Sequence, residues 1–208
     1  TMSADISGAP AIITGAGSGI GAAIALRLAQ AGCPVYLIGR TLDKLETTKK
    51  EITEKVPEAK VVVDALDVTN KEQLAKAVEG CVTAFGSISV VINNAGVGCV
   101  TGSSLEKWDE AIDVNLKAAM RLTKLALPHL EASVKAKKLA SVINIGSRSG
   151  KDYFGSLVPY CASKHGLVGF SLSLYAAVQN AGIRVTVINP GWVDTPMIQG
   201  LKSYSDLK

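Results

Sequence analysis

The residues best suited to chemistry in this chain of 208 amino acids stand together in its second half. An apolar run ends in Ile145-Gly146-Ser147, and Tyr160-Cys161-Ala162-Ser163-Lys164 follows it. A tyrosine and a lysine four positions apart share one face of a helix, so the ammonium can lie beneath the phenol. Tyrosine, with an ordinary pKa of about 10, exchanges protons poorly at neutral pH, and a neighbouring cation lowers that value by favouring the phenolate. Such a pairing makes Tyr160 a candidate proton donor and acceptor. The spacing is not selective alone, because Tyr204 and Lys208 repeat it. Context separates the pairs: Tyr160 begins a long helical segment after a strand-end serine, whereas Tyr204 lies in a polar tail.

A second constellation opens the chain. Thr14-Gly15-Ala16-Gly17-Ser18-Gly19-Ile20-Gly21 joins a short β-branched run to an Ala-rich helical segment. Glycines there let the backbone approach a pyrophosphate, whose charge is stabilised by the N–H groups and dipole of the helix terminus that follows. The bland alternative is a flexible turn, and the position between a first strand and a first helix favours a dinucleotide over it. Further on, the next strand ends in Ile38-Gly39-Arg40-Thr41. A cofactor with a free ribose 2'-OH calls for a carboxylate at this point, and none is present. Arg40 suits a 2'-phosphate, with Thr41 as a hydroxyl partner, so NADP is expected over NAD. Against this stands an ordinary solvated arginine in a helix-entry loop. Asp67, with Val68 after it, is suited to accept a bond from an adenine amino group or equally to cap the next helix.

These residues need a scaffold that brings distant loops together. β-Branched runs at 11–14, 35–38, 60–63, 88–92, 140–145 and 184–188 alternate with helical segments at 19–31, 42–55, 71–85, 104–137 and 160–181. The fourth helix is expected to bend near Pro128. Repeated βαβ units with nearly continuous apolar strands predict an α/β fold, an open, mostly parallel, doubly wound sheet covered by helices on both faces. Ligands of such sheets bind beyond the carboxyl ends of the strands, where both constellations fall. No repeat or linker divides the chain, so residues 1–208 are expected to form one dinucleotide-binding and catalytic domain.

Taken together, the sequence resembles the short-chain dehydrogenase/reductase family over nearly its whole length. The likeness rests on the glycine motif at 14–21, Asn93-Asn94-Ala95-Gly96, Asn115, Ser147, the Tyr160/Lys164 pair and Asn189-Pro190-Gly191, in that order. It implies a Rossmann-type three-layer sandwich and a nicotinamide-dependent oxidoreductase acting on a small carbonyl or alcohol substrate. In it Ser147 would hold the substrate oxygen, Tyr160 transfer the proton and Lys164 also bind the nicotinamide ribose. Asn115 would support a water leading to Lys164. Gly15, Gly17, Ser18, Gly19, Ile20, Gly21, Asn94, Ala95 and Gly96 would line the cofactor, with Pro190, Gly191, Val193 and Thr195 at its carboxamide end. Two departures stand out: Gly146 replaces a frequent serine, and the chain stops soon after Met197, so the C-terminal substrate region is expected to be shortened or missing. A non-catalytic NADP-binding sensor or scaffold is the rival reading, and an epimerase or dehydratase a third.

Composition narrows the classes further. Charged residues make up 19% and apolar ones 48%, with a net charge of +4, so a disordered chain is excluded. No long basic block favours nucleic acid, and the uncharged stretches are broken by Gly, Asn or Pro, which argues against a membrane span. Cys33, Cys81, Cys99 and Cys161 lack metal-ligand spacing, and the chain does not open on a secretory signal, so reduced thiols in the cytoplasm are expected, with an organelle left open. Cys99, Tyr153, Phe154, Leu157, Trp192 and Met197 are candidates for an apolar substrate wall. From His165 to Ile183 there is no charged residue other than histidine, and Leu167, Val168, Phe170, Leu172, Leu174, Tyr175 and Val178 wrap more than one helix face. A helix this apolar is covered by more chain or by another subunit, and a homodimer or homotetramer is expected.

Overall fold

A computed structural model describes residues 6–199. Six strands form its sheet: β1 (Ala11–Thr14), β2 (Val35–Gly39), β3 (Val61–Ala65), β4 (Val90–Asn93), β5 (Ser141–Ile145) and β6 (Arg184–Ile188). Their order is β3-β2-β1-β4-β5-β6, with every neighbouring pair parallel. This is the Rossmann arrangement, in which the direction of strand addition reverses between β1 and β4.

Period-two side-chain alternation divides the core into two layers. Ile13, Leu37 and Ile92 pack with Ala25 and Ala29 of α1 (Gly19–Gln30) and with Leu45 and Ile52 of α2 (Leu42–Lys55). Their chain neighbours Ile12, Ile38 and Val91 face the other way. They pack with Leu74, Val78 and Cys81 of α3 (Lys71–Phe85) and with Leu122, Ala126 and Leu130 further along the chain. The apolar strand runs thus reflect burial on both faces at the centre of the sheet. At the edge the expectation fails: in β6 Arg184, Thr186 and Ile188 are exposed among the described residues, so one face of that strand is open.

The expected single helix at 104–137 is two, α4 (Leu105–Ile112) and α5 (Ala118–Lys135), joined by a π-helical turn at Asp113–Lys117. The irregularity therefore lies around Asn115, and helix runs uninterrupted through Pro128. A wide turn accommodates an extra residue within a helix, and such turns recur at functional sites. The helix expected from Tyr160 starts two residues earlier: α6 (Val158–Val178) has Pro159 in its first turn, where the missing N–H costs nothing, and a 3₁₀ turn at Gln179–Ala181 ends it. A short α7 (Pro196–Gln199) follows β6. The Tyr204/Lys208 pair lies outside the described residues. Among the described residues no helix is long and apolar enough to cross a membrane, and no cluster of metal-ligating side chains occurs.

Candidate active site

The carboxyl ends of β1 and β4 are fastened to each other before any ligand is considered. The Thr14 hydroxyl accepts bonds from the Asn94 and Ala95 N–H groups, each at 3.0 Å. The Asn94 carboxamide donates to the Thr14 and Gly15 carbonyls at 2.9 and 3.1 Å. Gly15 has φ +65°, and a Cβ there would meet Ala95 Cα and Asn94 Nδ2 at 2.9 Å. Gly21 is more tightly enclosed, since a Cβ would strike the Gly15 carbonyl oxygen. These glycines bring two backbones into contact, while Ser18, at the N-cap of α1, places no side-chain bond on the helix terminus.

The resulting cleft is lined by Gly15, Gly17 and Ser18 on one side and by Arg40, Thr41, Asp67 and Val68 around the ends of β2 and β3, with Ala95 and Gly96 across from them. Ile20 instead packs its side chain against the α1/α2 core layer. Gly19 sits against Thr195, which a Cβ would approach to 3.1 Å. Asp67 has a structural job as well as a place in the cleft: its carboxylate accepts from the Thr69 N–H and hydroxyl at 2.8 and 2.9 Å. The helix cap itself is Asn70, which accepts from Gln73 N, so Asp67 shapes the turn leading to α3. Lys44, Leu66, Val97 and Val114 also line the cleft and were not anticipated. Lys44 carries a local signal, standing four residues after Arg40 at the entry of α2. Val114 carries none, because it arrives from the distant π turn.

Ser147, Tyr160, Lys164 and Asn115 assemble beside this cleft. The loop holding Ser147 is tied to the end of β6, with Gly146 N donating to Ile188 O at 2.7 Å and Arg148 N to Pro190 O at 2.8 Å. Ser147 N donates to the Asn189 carboxamide oxygen at 3.2 Å. That oxygen fills the space a side chain at 146 would need, which accounts for glycine there. Asn115 is buried and its carboxamide is fully engaged. It accepts from Val97 N at 2.8 Å and donates to Val97 O and Ser163 Oγ, both at 3.0 Å. Ser163 donates in turn to the Tyr160 carbonyl at 2.7 Å, so Asn115 braces the helix that carries both Tyr160 and Lys164. Gly96 completes the group, since a Cβ there would lie 3.2 Å from Asn115 Oδ1 and 3.7 Å from Lys164 Nζ.

Lys164 is 4% exposed and its ammonium lies 5.8 Å from the Tyr160 ring centre, donating to the Ile145 carbonyl at 2.9 Å. Burial lowers its pKa to about 8. The Tyr160 phenol moves opposite to expectation. Its own burial raises the pKa, and the hydrogen bond with Ser147 offsets only part of that rise. Desolvation penalises the charged form of both groups and is the largest cause of each shift. Asn93, read as structural, is buried, and its amide donates to Thr123 Oγ1 at 2.9 Å and Asn144 Oδ1 at 2.7 Å. His165 stacks on Tyr153 with ring centres 5.2 Å apart. Of the wall candidates, Cys99 is buried with its thiol on the Lys107 carbonyl, whereas Tyr153, Trp192 and Met197 are exposed. Pro190, Gly191 and Val193 follow β6 toward Thr195.

Comparison with known proteins agrees with this architecture. The family model described as short chain dehydrogenase matches residues 9–205. A protein assigned as ketoacyl reductase 1 of the granaticin polyketide synthase of Streptomyces violaceoruber is 36% identical over 197 residues, covering 93% of this chain and 71% of the relative. The solved structure of an actinorhodin polyketide ketoreductase variant with NADPH superposes with TM-score 0.84 at 34% identity, over 94% of this chain and 74% of that one. The 3-ketoacyl-(acyl-carrier-protein) reductase of Brucella melitensis, complexed with NADH, gives TM-score 0.87 at 27% identity, over 93% and 80%. The chain belongs to the short-chain dehydrogenase family, and its class is that of the oxidoreductases.

The buried lysine has a measurable consequence for stability. Its pKa falls from an unfolded value near 10.5 to about 8, so below pH 8 the folded state carries a charge it hydrates poorly. Between those values the unfolded chain binds more protons, and stability rises with pH. Lys164→Met should therefore stabilise the fold at neutral pH by up to about 3 kcal/mol, less about 1 for the orphaned Ile145 carbonyl. The gain should disappear above pH 10.5. Urea unfolding of both proteins across this range tests it, and a mutant destabilised equally at every pH would contradict it.

Proposed function

We propose that the protein is an NADP-dependent carbonyl reductase or alcohol dehydrogenase in which Tyr160 exchanges a proton with the substrate oxygen. The observation that carries this reading is the convergence of Ser147, Tyr160 and Lys164 beside a glycine-lined cleft at the β1/β4 switch point. The cleft suits a dinucleotide because Gly15, Gly17 and Ser18 line it with a glycine loop that leads into the N-terminus of α1. The cofactors in the related structures, NADPH in one and NADH in another, support a nicotinamide dinucleotide in general. Bound in reduced form, such a cofactor supplies a hydride to the carbonyl carbon. The rest is the work of this chain.

Ser147 Oγ donates to the carbonyl oxygen and orients it, and Tyr160 Oη delivers the proton that oxygen requires as it gains negative charge. The raised pKa of Tyr160 suits this direction, because the phenol keeps its proton at neutral pH. Lys164 lies along the same helix face to hold the ribose and to favour the phenolate after transfer, and Asn115 keeps that helix in register. The Pro190–Thr195 segment borders the carboxamide end. The exposed Tyr153, Trp192 and Met197 and the half-buried Phe154 and Leu157 favour an apolar carbonyl compound. Ketoacyl reductases among the relatives support an acyl-chain ketone as one such substrate. Tyr160→Phe should lower kcat by about 10²- to 10⁴-fold while the affinity for NADPH, measured by fluorescence titration, changes little. Full turnover in that variant would overturn the assignment of Tyr160 as the proton donor, and absence of turnover in the wild type would support a cofactor-binding sensor.

Arg40 supports NADP, since it lines the cleft together with Thr41 and Lys44 and β2 ends without a carboxylate of its own. Arg40→Asp should narrow or reverse the preference for NADPH in kcat/KM. Unchanged, equal efficiencies with both cofactors would remove the assignment.

The assembly reading centres on α6 and α5. Leu172 is 61% and Tyr175 48% exposed on α6, whose outer face carries no charge, and Met120 is 43% exposed on α5 between Lys117 and Lys124, a surface that a second copy of this chain would bury in a homodimer or homotetramer. Leu174 packs against the core of its own subunit and is the wrong residue to probe this contact. Leu172→Asp should release monomers, detected by light scattering at micromolar concentration, while circular dichroism remains unchanged. A wild-type monomer under those conditions would overturn the reading.

A further inference from the structure

Arg40 does not stand alone at the rim of the cleft. Its Nη1 lies 3.7 Å from Glu110 Oε1, while Glu110 Oε2 is held by Lys107 Nζ at 2.5 Å. Glu110 belongs to α4 and precedes Val114, a lining residue, by one helical turn. Arg40, itself a lining residue, follows the end of β2. The ion pair therefore ties the Arg40 side of the cleft to α4. Glu110 is the more constrained partner: its side chain is 27% exposed against 65% for Arg40, and Lys107 anchors it from the same helix.

We propose that Glu110 is a specificity-determining residue for the cofactor, one that competes with a ribose 2'-phosphate for the Arg40 guanidinium. The proposal rests on the reading of Arg40 as the phosphate contact. A ligand that needs Arg40 binds only the fraction of molecules in which that side chain is free, so its apparent affinity falls by that fraction. A cofactor with an unmodified 2'-OH does not need Arg40 and escapes the penalty. Glu110 thereby reduces the advantage of NADPH over NADH that Arg40 alone would confer. The pair is exposed, which limits its strength and makes it sensitive to salt.

The test is isothermal titration of the whole protein with NADPH and with NADH, using wild type, Glu110→Gln, Arg40→Ala and the double variant. Glu110→Gln should tighten NADPH about two- to fivefold at low ionic strength and leave NADH unchanged, and the difference should shrink at about 0.5 M salt. In the Arg40→Ala background the same substitution should have no effect on NADPH. Tightening that persists without Arg40 would overturn the proposal, because it would arise from the uncompensated Lys107 charge. If Arg40→Ala weakens NADPH but Glu110→Gln changes nothing, the competition is refuted and the phosphate reading stands. If Arg40→Ala leaves NADPH affinity unchanged, the phosphate reading itself fails.

Discussion

The short hydrogen-bonded knot between Thr14 and Asn94 holds open the place on which the rest of the site depends. A parallel sheet whose strand order reverses sends its connecting loops apart at the point of reversal, and the backbone groups at those strand ends lose their regular partners. Here the Thr14 hydroxyl accepts two N–H groups from the end of β4, and the Asn94 amide donates to two carbonyls at the end of β1. Each side chain satisfies the backbone of the other strand. The knot is made wholly of protein groups and holds the glycine loop close to Asn94 and Ala95. That contact also explains why side chains are absent at Gly15 and Gly21, where a Cβ would fall on atoms of the knot or the loop.

A second brace controls the half of the site that carries Tyr160. The π turn places Asn115 where its carboxamide reaches both the Val97 backbone and Ser163, linking the loop after β4 to α6. Ser147 is tied from the other side, through Asn189 and the end of β6. Tyr160 is thus positioned by three strands and two helices that meet only in the folded chain. Preorganisation of this kind places reacting groups without a large entropic cost at the moment of reaction.

The parts of this arrangement legible in sequence are those encoded locally. The β-branched runs, the glycine turn and the four-residue spacing of Tyr160 and Lys164 each follow from backbone geometry within a short window. The strand at 11–14 and the helices at 42–55 and 71–85 accordingly fall on the expected residues. What depends on tertiary contact was hidden. A π turn has no compositional marker, so the break at Asp113–Lys117 was assigned instead to Pro128, a residue that a helix already stabilised by packing accommodates. Val114 reaches the cleft through the π turn and Glu110 reaches Arg40 through the path of α4, and the bond between Ser163 and Asn115 joins positions 48 residues apart. The direction of the Tyr160 pKa was misjudged for the same reason. Spacing reveals a neighbouring cation, whereas burial is set by the whole fold.

Burial of Lys164 joins stability to chemistry. In water its ammonium would remain charged well above neutrality, but here desolvation brings the pKa to about 8, close to the pH at which cells work. A group poised in this way changes its charge in response to small changes around it, and a group fixed at either extreme does not. The Ile145 carbonyl supplies its hydrogen bond without neutralising it, and the neutral Tyr160 phenol lies on the same helix face. The lysine and tyrosine therefore interact little while at most one of them is charged. Formation of a phenolate beside the ammonium is the state that their proximity favours most. A buried pair of this kind adds little to the stability of the resting protein, and in the proposed reaction its electrostatic attraction would act once the phenol has lost its proton.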